Sequence, residues 1–338
     1  MGKYKAIAVI YGSDTSEWEV SCRSGEFVAS RIDGTEYDIY QIFARFGKWS
    51  LVAYKKQNSM RVSLPEGSRP TIDKTDFSVK ILGEKVNFDY AYIVQHGAPG
   101  ENGLIQGYFE LMGIPFSTCS AFACTIAFDK YSCKSYLKDS GAVKLAPDAF
   151  IRKGEDLDAF CAKVNSTLKY PVFVKPTQAG SSFGLSMVKT PGELPAAVSF
   201  AFSESPSVLV EQGVNGRELT CATYFDGTGV KTLPLIEIVS DNEFFDYDAK
   251  YNGHSKEICP APVDEAVNKL VSETSASIYK CLGCKGLVRM DYIYTGEELY
   301  FLEVNIIPGM TSASLVPKMV RTAGMDMTEF LNIIIENS

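Results

Sequence analysis

Two apolar runs near the C-terminus carry the clearest pattern in the chain. Gly286 to Tyr294 reads Gly-Leu-Val-Arg-Met-Asp-Tyr-Ile-Tyr, and Leu299 to Gly309 reads Leu-Tyr-Phe-Leu-Glu-Val-Asn-Ile-Ile-Pro-Gly. Both are rich in β-branched and aromatic residues, and Thr295-Gly-Glu-Glu298 between them reads as a hairpin turn. Charged and amide side chains break the runs at Arg289, Asp291, Glu303 and Asn305. Residues two apart on a strand share a face, so Arg289 goes with Asp291 and Glu303 with Asn305. A loop of three or five residues would set odd positions opposite odd positions and gather all four on one side. Three oxygen donors beside an arginine suit a magnesium ion carrying nucleotide phosphates. A solvated outer face is the alternative. It fits poorly, because Val288, Met290, Phe301, Leu302, Val304, Ile306 and Ile307 are apolar in both registers.

Upstream, residues 5–11 form a short apolar run closed by a Gly/Ser/Asp turn, the pattern of a buried strand. A helix is predicted over about 22–32, a second buried strand over 90–95 and a helix over about 103–112. Strand, loop and helix in alternation predict an α/β fold with a parallel sheet covered by helices. Ligands in such sheets sit at the carboxyl ends of strands, where loops 12–21 and 96–103 fall. The stretch 47–88 reads as an insertion of short strands and yields no chemistry. A long helix is predicted over about 120–140, then two strands around a Gly/Ser loop in 171–188, and alternating strands and turns in 208–239. Residues 241–261 read as a polar loop and 262–282 as a helix, and two helices follow the hairpin.

At 338 residues the chain is long enough for two or three domains, at roughly 150 residues each. A net charge of -8 argues against non-specific nucleic-acid binding, which needs a basic surface. No apolar run reaches the ~18 residues of a membrane span. The run after Met1 is too short for a signal-peptide core, and Ala6 leaves the myristoylation motif incomplete. These features predict a cytoplasmic protein with no membrane partner. Nine cysteines, an odd number, argue for free thiols; Cys281-Leu-Gly-Cys284 has metal spacing, but no second pair follows it.

Gly180-Ser-Ser-Phe-Gly184 is a glycine-bounded loop whose backbone can approach a phosphate. Neither a P-loop nor a G-x-G-x-x-G fingerprint occurs. Lys175 closes a strand of Val and Phe, so it either snorkels or meets an anion. Lys130 sits on a helix, where a solvated face is the alternative. Glu211 ends a strand and could accept from an adenine amino group or ribose hydroxyls; an ordinary exposed carboxylate is as plausible on spacing alone. Ser21 could cap the first helix, and Glu17 or Glu19 could receive an ammonium group. His96 lies at a strand mouth rather than on an apolar face.

Taken together these segments resemble the D-alanine–D-alanine ligases of the ATP-grasp superfamily. The resemblance is carried by Ser16-Glu17-x-Glu19-Val-Ser, by His96-Gly-x-x-Gly-Glu-x-Gly-x-x-Gln-Gly107, by Asp129-Lys130 and by Val174-Lys-Pro-x-x-x-Gly-Ser-Ser-x-Gly184. It continues in Phe245-Asp-Tyr-Asp-Ala-Lys-Tyr251, Arg289-x-Asp291 and Glu303-Val-Asn305-x-x-Pro-Gly-Met-Thr-Ser-x-Ser-Leu315. The pattern departs at Gln95, Asn102 and Ile306, where the family has an apolar residue, Asp and Thr.

The resemblance implies an ATP-grasp fold. An N-terminal parallel-sheet, Rossmann-like substrate domain (1–122) would precede central (123–213) and C-terminal (214–338) α+β subdomains. It implies that Lys130, Lys175 and Lys250 hold ATP phosphates. Glu211 and Glu218 would bind the adenosine, with backbone groups of Gln212 and Val214 at the adenine. Asp291, Glu303 and Asn305 would bind two magnesium ions, with manganese as a possible substitute. Glu17 would take the ammonium of the first D-alanine with His96 nearby, and Ser181 and Tyr251 would complete a hydrogen-bonded set with Glu17. Arg289 and the Gly309 amide would stabilise the oxyanion, and Ser314 and Leu315 would hold the second D-alanine carboxylate. The loop 241–261 would be a lid, and Tyr251 within it favours an amine nucleophile over D-lactate. A homodimer is implied as well. The alternatives are another ATP-grasp ligase, one making D-Ala-D-Ser or D-Ala-D-Lac included, or a catalytically idle nucleotide-binding module.

Overall fold

The first apolar run becomes β1 (Ala6–Gly12), buried along its whole length. α1 (Trp18–Arg31) follows, then β2 (Asp38–Arg45), which sequence periodicity does not single out, and β3 (Lys48–Lys55). The 47–88 stretch contributes β3, β4 (Val62–Ser63) and a separate ribbon of β5 (Ser78–Ile81) and β6 (Glu84–Asn87). β7 (Tyr90–Ile93) completes a five-stranded sheet in the order β4-β3-β2-β1-β7. β1 is parallel to β2 and to β7, while β2 and β3 are antiparallel. The structure, a computed structural model, describes residues 3–178, 180, 183–240 and 255–338. Among these, no helix is long and apolar enough to cross a membrane.

Ser21 does not cap α1. The helix begins at Trp18, and the Ser21 hydroxyl instead donates to the Val94 carbonyl (2.5 Å) and accepts from the Gly12 N–H (3.0 Å). It thereby ties the ends of β1 and β7 to the helix. The two mouth loops are also joined: Thr15 Oγ1 donates to the His96 carbonyl and the Asp14 N–H to that of Ala98, both at 3.2 Å.

α2 (Leu104–Met112) is followed by two helices, α3 (Ala121–Phe128) and α4 (Lys130–Lys138), where one long helix is expected. The break is Asp129, extended at ψ 107°, whose carboxylate accepts from the Ser132 N–H at 2.8 Å. A short acidic side chain that can cap a new helix competes with continuation of the old one. The break places Lys130 in the first turn of α4 and Lys134 one turn later on the same face.

β8 (Lys144–Leu145), β9 (Asp148–Arg152), α5 (Leu157–Thr167), β10 (Val172–Pro176), β11 (Ser186–Val188), α6 (Leu194–Ala201) and β12 (Ser207–Gln212) come next. Four of these strands form an antiparallel sheet, β11-β10-β12-β9, and α5 and α6 cover it with their own apolar cluster around Ile151, Val174 and Val210. β13 (Arg217–Phe225), β14 (Val230–Thr232), β15 (Ile236–Ser240), β16 (Ser255–Ile258), α7 (Glu265–Cys281), β17 (Leu287–Tyr294), β18 (Leu299–Asn305), α8 (Leu315–Thr322) and α9 (Met327–Asn337) complete the chain. The third sheet runs β16-β15-β13-β17-β18-β8, with β14 on β13. Two apolar clusters each contain residues of both this sheet and the N-terminal one.

The β17–β18 register has a different origin from the expected odd loop. Four residues, 295–298, separate the pair Tyr294 and Leu299, which sets even positions opposite odd ones. A bulge then leaves Leu302 unpaired, so Asp291 faces Glu303 and Arg289 faces Asn305. All four polar groups reach one face because the bulge adds the residue that the loop lacks.

Candidate active site

The three sheets border one cleft of about 990 Å³. Glu17, His96 and Glu101 enter it from the N-terminal sheet, Lys130 from α4, and Lys175, Glu211, Gln212 and Val214 from the central sheet. Glu218, Arg289, Asp291, Glu303, Asn305, Gly309, Ser314 and Leu315 enter from the C-terminal part. Glu19 is exposed and lies outside the cleft. Ser181, Lys250 and Tyr251 fall outside the described residues, as does most of the expected lid.

Asp291, only 6% exposed, anchors the hairpin face. It accepts from Arg289 Nε (2.9 Å) and Nη2 (2.8 Å), from Asn305 Nδ2 (3.1 Å) and from Thr220 Oγ1 (2.5 Å). These four donors fix the orientation of the carboxylate on the hairpin face. Burial by itself would lower the Arg289 pKa, but Asp291 reverses that and drives it up, so the guanidinium stays charged. Thr220 lies directly opposite Asp291 on β13; its hydroxyl gives no signal in the sequence beyond its place on a strand. Glu303 stands 3.4 Å from Lys130. Among the described residues no three His, Cys, Asp or Glu side chains gather as a metal cluster. The hairpin offers two carboxylates and an amide instead, and hard oxygen donors of this kind fit magnesium or manganese.

Burial raises the Glu211 pKa, but Lys175 and then Lys134 outweigh it and bring it down to about 2. Lys175 Nζ lies 2.6 Å from Glu211 Oε2. The Gln212 N–H is committed to the Pro147 carbonyl at 2.9 Å. Gly180 lies against Glu17: a Cβ there would stand 2.6 Å from Glu17 Oε2, so the glycine loop can reach this carboxylate only without a side chain.

His96 is buried, and both of its ring nitrogens have protein partners. Nδ1 lies 3.1 Å from the Ile307 carbonyl, and Nε2 lies 3.1 Å from Ser24 Oγ. Desolvation lowers its pKa, so the neutral ring donates from Nδ1 and accepts from Ser24. Ser24 in turn accepts from the Met310 N–H at 3.4 Å, beside Gly309. Ser314 precedes α8 without capping it; its hydroxyl accepts from the Thr311 N–H at 2.9 Å. Its side chain therefore does not satisfy the first N–H groups of α8. Of the three departures, Gln95 is buried and donates to the Ala44 carbonyl (2.9 Å), Asn102 accepts from the Leu104 N–H at the start of α2, and Ile306 is buried.

Desolvation, then repulsion from Glu17 and Glu303, pushes Glu101 up to about 8. The folded protein therefore holds a proton that the unfolded chain releases near 4.5. The stability this carboxyl contributes is full below 4.5 and is lost as pH rises toward about 8. The melting temperature of Glu101→Gln, relative to the wild type in metal-free buffer, is expected to improve across that window. A constant difference would show that Glu101 titrates normally.

A glycine-bounded segment and Lys175 on one sheet, with Lys130 on a helix beside it, facing an acidic hairpin on another sheet, belong to the ATP-grasp fold, and the structural relatives share it. The models of the D-ala D-ala ligase N-terminus and C-terminus match residues 6–119 and 139–336, and the chain belongs to the D-alanine–D-alanine ligase family. It is 42% identical to the D-alanine–D-alanine ligase of Phocaeicola vulgatus, over 98% of this chain and 99% of that one. The VanG D-Ala:D-Ser ligase of Enterococcus faecalis superposes with a TM-score of 0.87 at 30% identity, covering 98% and 99% of the two chains. The Bacillus anthracis D-alanine–D-alanine ligase complexed with ATP gives 0.75 at 28% identity, over 98% and 96%.

Proposed function

We propose that the protein joins two D-alanines into D-alanyl-D-alanine for peptidoglycan precursors, cleaving ATP to ADP and phosphate. One observation carries this reading furthest. Arg289, Asp291, Glu303 and Asn305 share a hairpin face that opens on the same cleft as Lys130, Lys175, Glu17 and His96.

A carboxylate is a poor electrophile. Its oxygen first attacks the γ-phosphorus of ATP, and ADP leaves. The neutral amine of the second D-alanine then attacks the acyl carbon, loses a proton, and phosphate departs with the carboxylate oxygen. Glu17 pairs with the ammonium of the first D-alanine, beside the His96 ring held by Ser24 and Ile307. Lys130 and Lys175 align the phosphates with Lys250, while the lid residue Tyr251 belongs to the hydrogen-bonded set of Glu17; Lys250 and Tyr251 both lie in the segment not described. Ser181, next to Gly180, extends the Glu17 set. Glu211 and Glu218 hold the adenosine near Gln212 and Val214. Arg289 and the Gly309 amide receive the oxyanion, where one fixed donor is worth about 3 kcal/mol. Ser314 and Leu315 present the α8 amides to the second carboxylate. Asp291, Glu303 and Asn305 would hold two magnesium ions, or manganese in their place, which would supply charge neutralisation for the phosphoryl group. Positioning two small substrates supplies much of the remaining rate enhancement.

We also take the protein to be cytoplasmic and homodimeric, divided at 122/123 and 213/214. The separate core of the β9–β12 sheet supports the middle division. The D-Ala:D-Ser relative favours one second reading, with D-serine as the attacking amine. Initial rates with D-alanine alone, and with D-serine or D-lactate added, decide between them. Dipeptide from D-alanine alone is expected at neutral pH; selective condensation with D-serine or D-lactate would overturn the assignment.

A further inference from the structure

Lys134 is 3% exposed, lies outside the cleft lining, and has no part in the reading above. Its ammonium donates to the Ala146 carbonyl (3.0 Å), pairs with Asp148 (2.6 Å) and pairs with Glu211. Glu211 and Asp148 are directly opposite each other on β12 and β9. Like charges so placed repel, and the Lys134 ammonium between them offsets that repulsion at Glu211. Lys175 also pairs with Glu211, but it faces the cleft, where a phosphate chain competes for it. Lys134 has no such competitor.

We propose that Lys134 is a positioning residue that holds Glu211 as a hydrogen-bond acceptor and so sets the preference for adenine over a 6-oxo purine. This rests on the reading of Glu211 as the partner of the adenine amino group. An anionic Glu211 accepts from that amine and repels a carbonyl oxygen at the same position. With Lys134 gone and Lys175 drawn to phosphate, Glu211 beside Asp148 takes up a proton. A protonated Glu211 can donate to the 6-oxo group, and discrimination falls.

The test compares kcat/KM for ATP and for inosine triphosphate at saturating D-alanine. The wild type is expected to prefer ATP. Lys134→Met and Glu211→Gln are each expected to reduce that preference by about tenfold or more, with the KM for D-alanine little changed. Lys134→Arg, which keeps the charge, should retain most of it. A purely structural Lys134 would lower the melting temperature and leave the nucleotide ratio alone, which overturns the proposal. If Glu211→Gln loses the preference while Lys134→Met keeps it, Lys134 has no such role and the adenine reading stands. If Glu211→Gln keeps the wild-type ratio, the adenine reading fails and the proposal fails with it. Should Lys134→Met not fold, Lys134→Gln, neutral but still a donor near Ala146, carries the same outcomes.

Discussion

Glu303→Gln is expected to lower turnover by about 10³-fold or more while shifting the melting temperature little. The side chain is 31% exposed and stands 3.4 Å from Lys130, so a near-isosteric amide costs the folded state little. What it removes is one of the two carboxylate charges on the hairpin face. Cations neutralising the phosphates are then held more weakly, and the magnesium concentration for half-maximal rate should rise as kcat falls. Steady-state rates across a magnesium titration, with thermal melts alongside, read both quantities. Activity above a tenth of wild type would remove Glu303 from the metal site.

Arg289→Met is expected to damage stability and chemistry together. Both guanidinium bonds go to the buried Asp291 carboxylate, which would keep only Thr220 and Asn305 as partners. Removing one member of a buried ion pair commonly costs about 3–5 kcal/mol. Loss of an oxyanion donor should further reduce kcat by about 10²–10³-fold. The stability loss should shrink when magnesium and ATP are present, because a bound cation replaces the missing charge at Asp291. Arg289→Lys should fall between, since an ammonium keeps the charge but not the two-pronged fit. Urea unfolding with and without magnesium and ATP, beside initial rates, measures each part. An equal loss of stability under both conditions would place the cation away from Asp291.

The hairpin was legible because period-two alternation exposes four polar residues in an apolar frame. Its register was not, since a bulge at Leu302 leaves no mark in composition. The break at Asp129 had a signal, an acidic residue able to cap, but helical periodicity runs through it and hides the stop. Lys134, one turn beyond Lys130, carries no mark of burial in the sequence; its partners Glu211 and Asp148 lie 77 and 14 positions away. Thr220 and Ser24 escaped for the same reason, because their partners Asp291 and His96 are distant in sequence. β2, β9 and α5 were missed where short amphipathic runs mix with charges. Glu17, His96 and Lys175 were placed by motif resemblance more than by local physics, and the fold then brings them to the cleft that the hairpin residues line.

D-alanine carrying ¹⁸O in its carboxyl group tests phosphoryl activation of the substrate most directly. With ATP and magnesium, each dipeptide formed should release one phosphate bearing a single ¹⁸O from D-alanine, alongside unlabelled ADP. Dipeptide formed with no label in phosphate, or with label in AMP, would contradict an acyl phosphate built in this cleft.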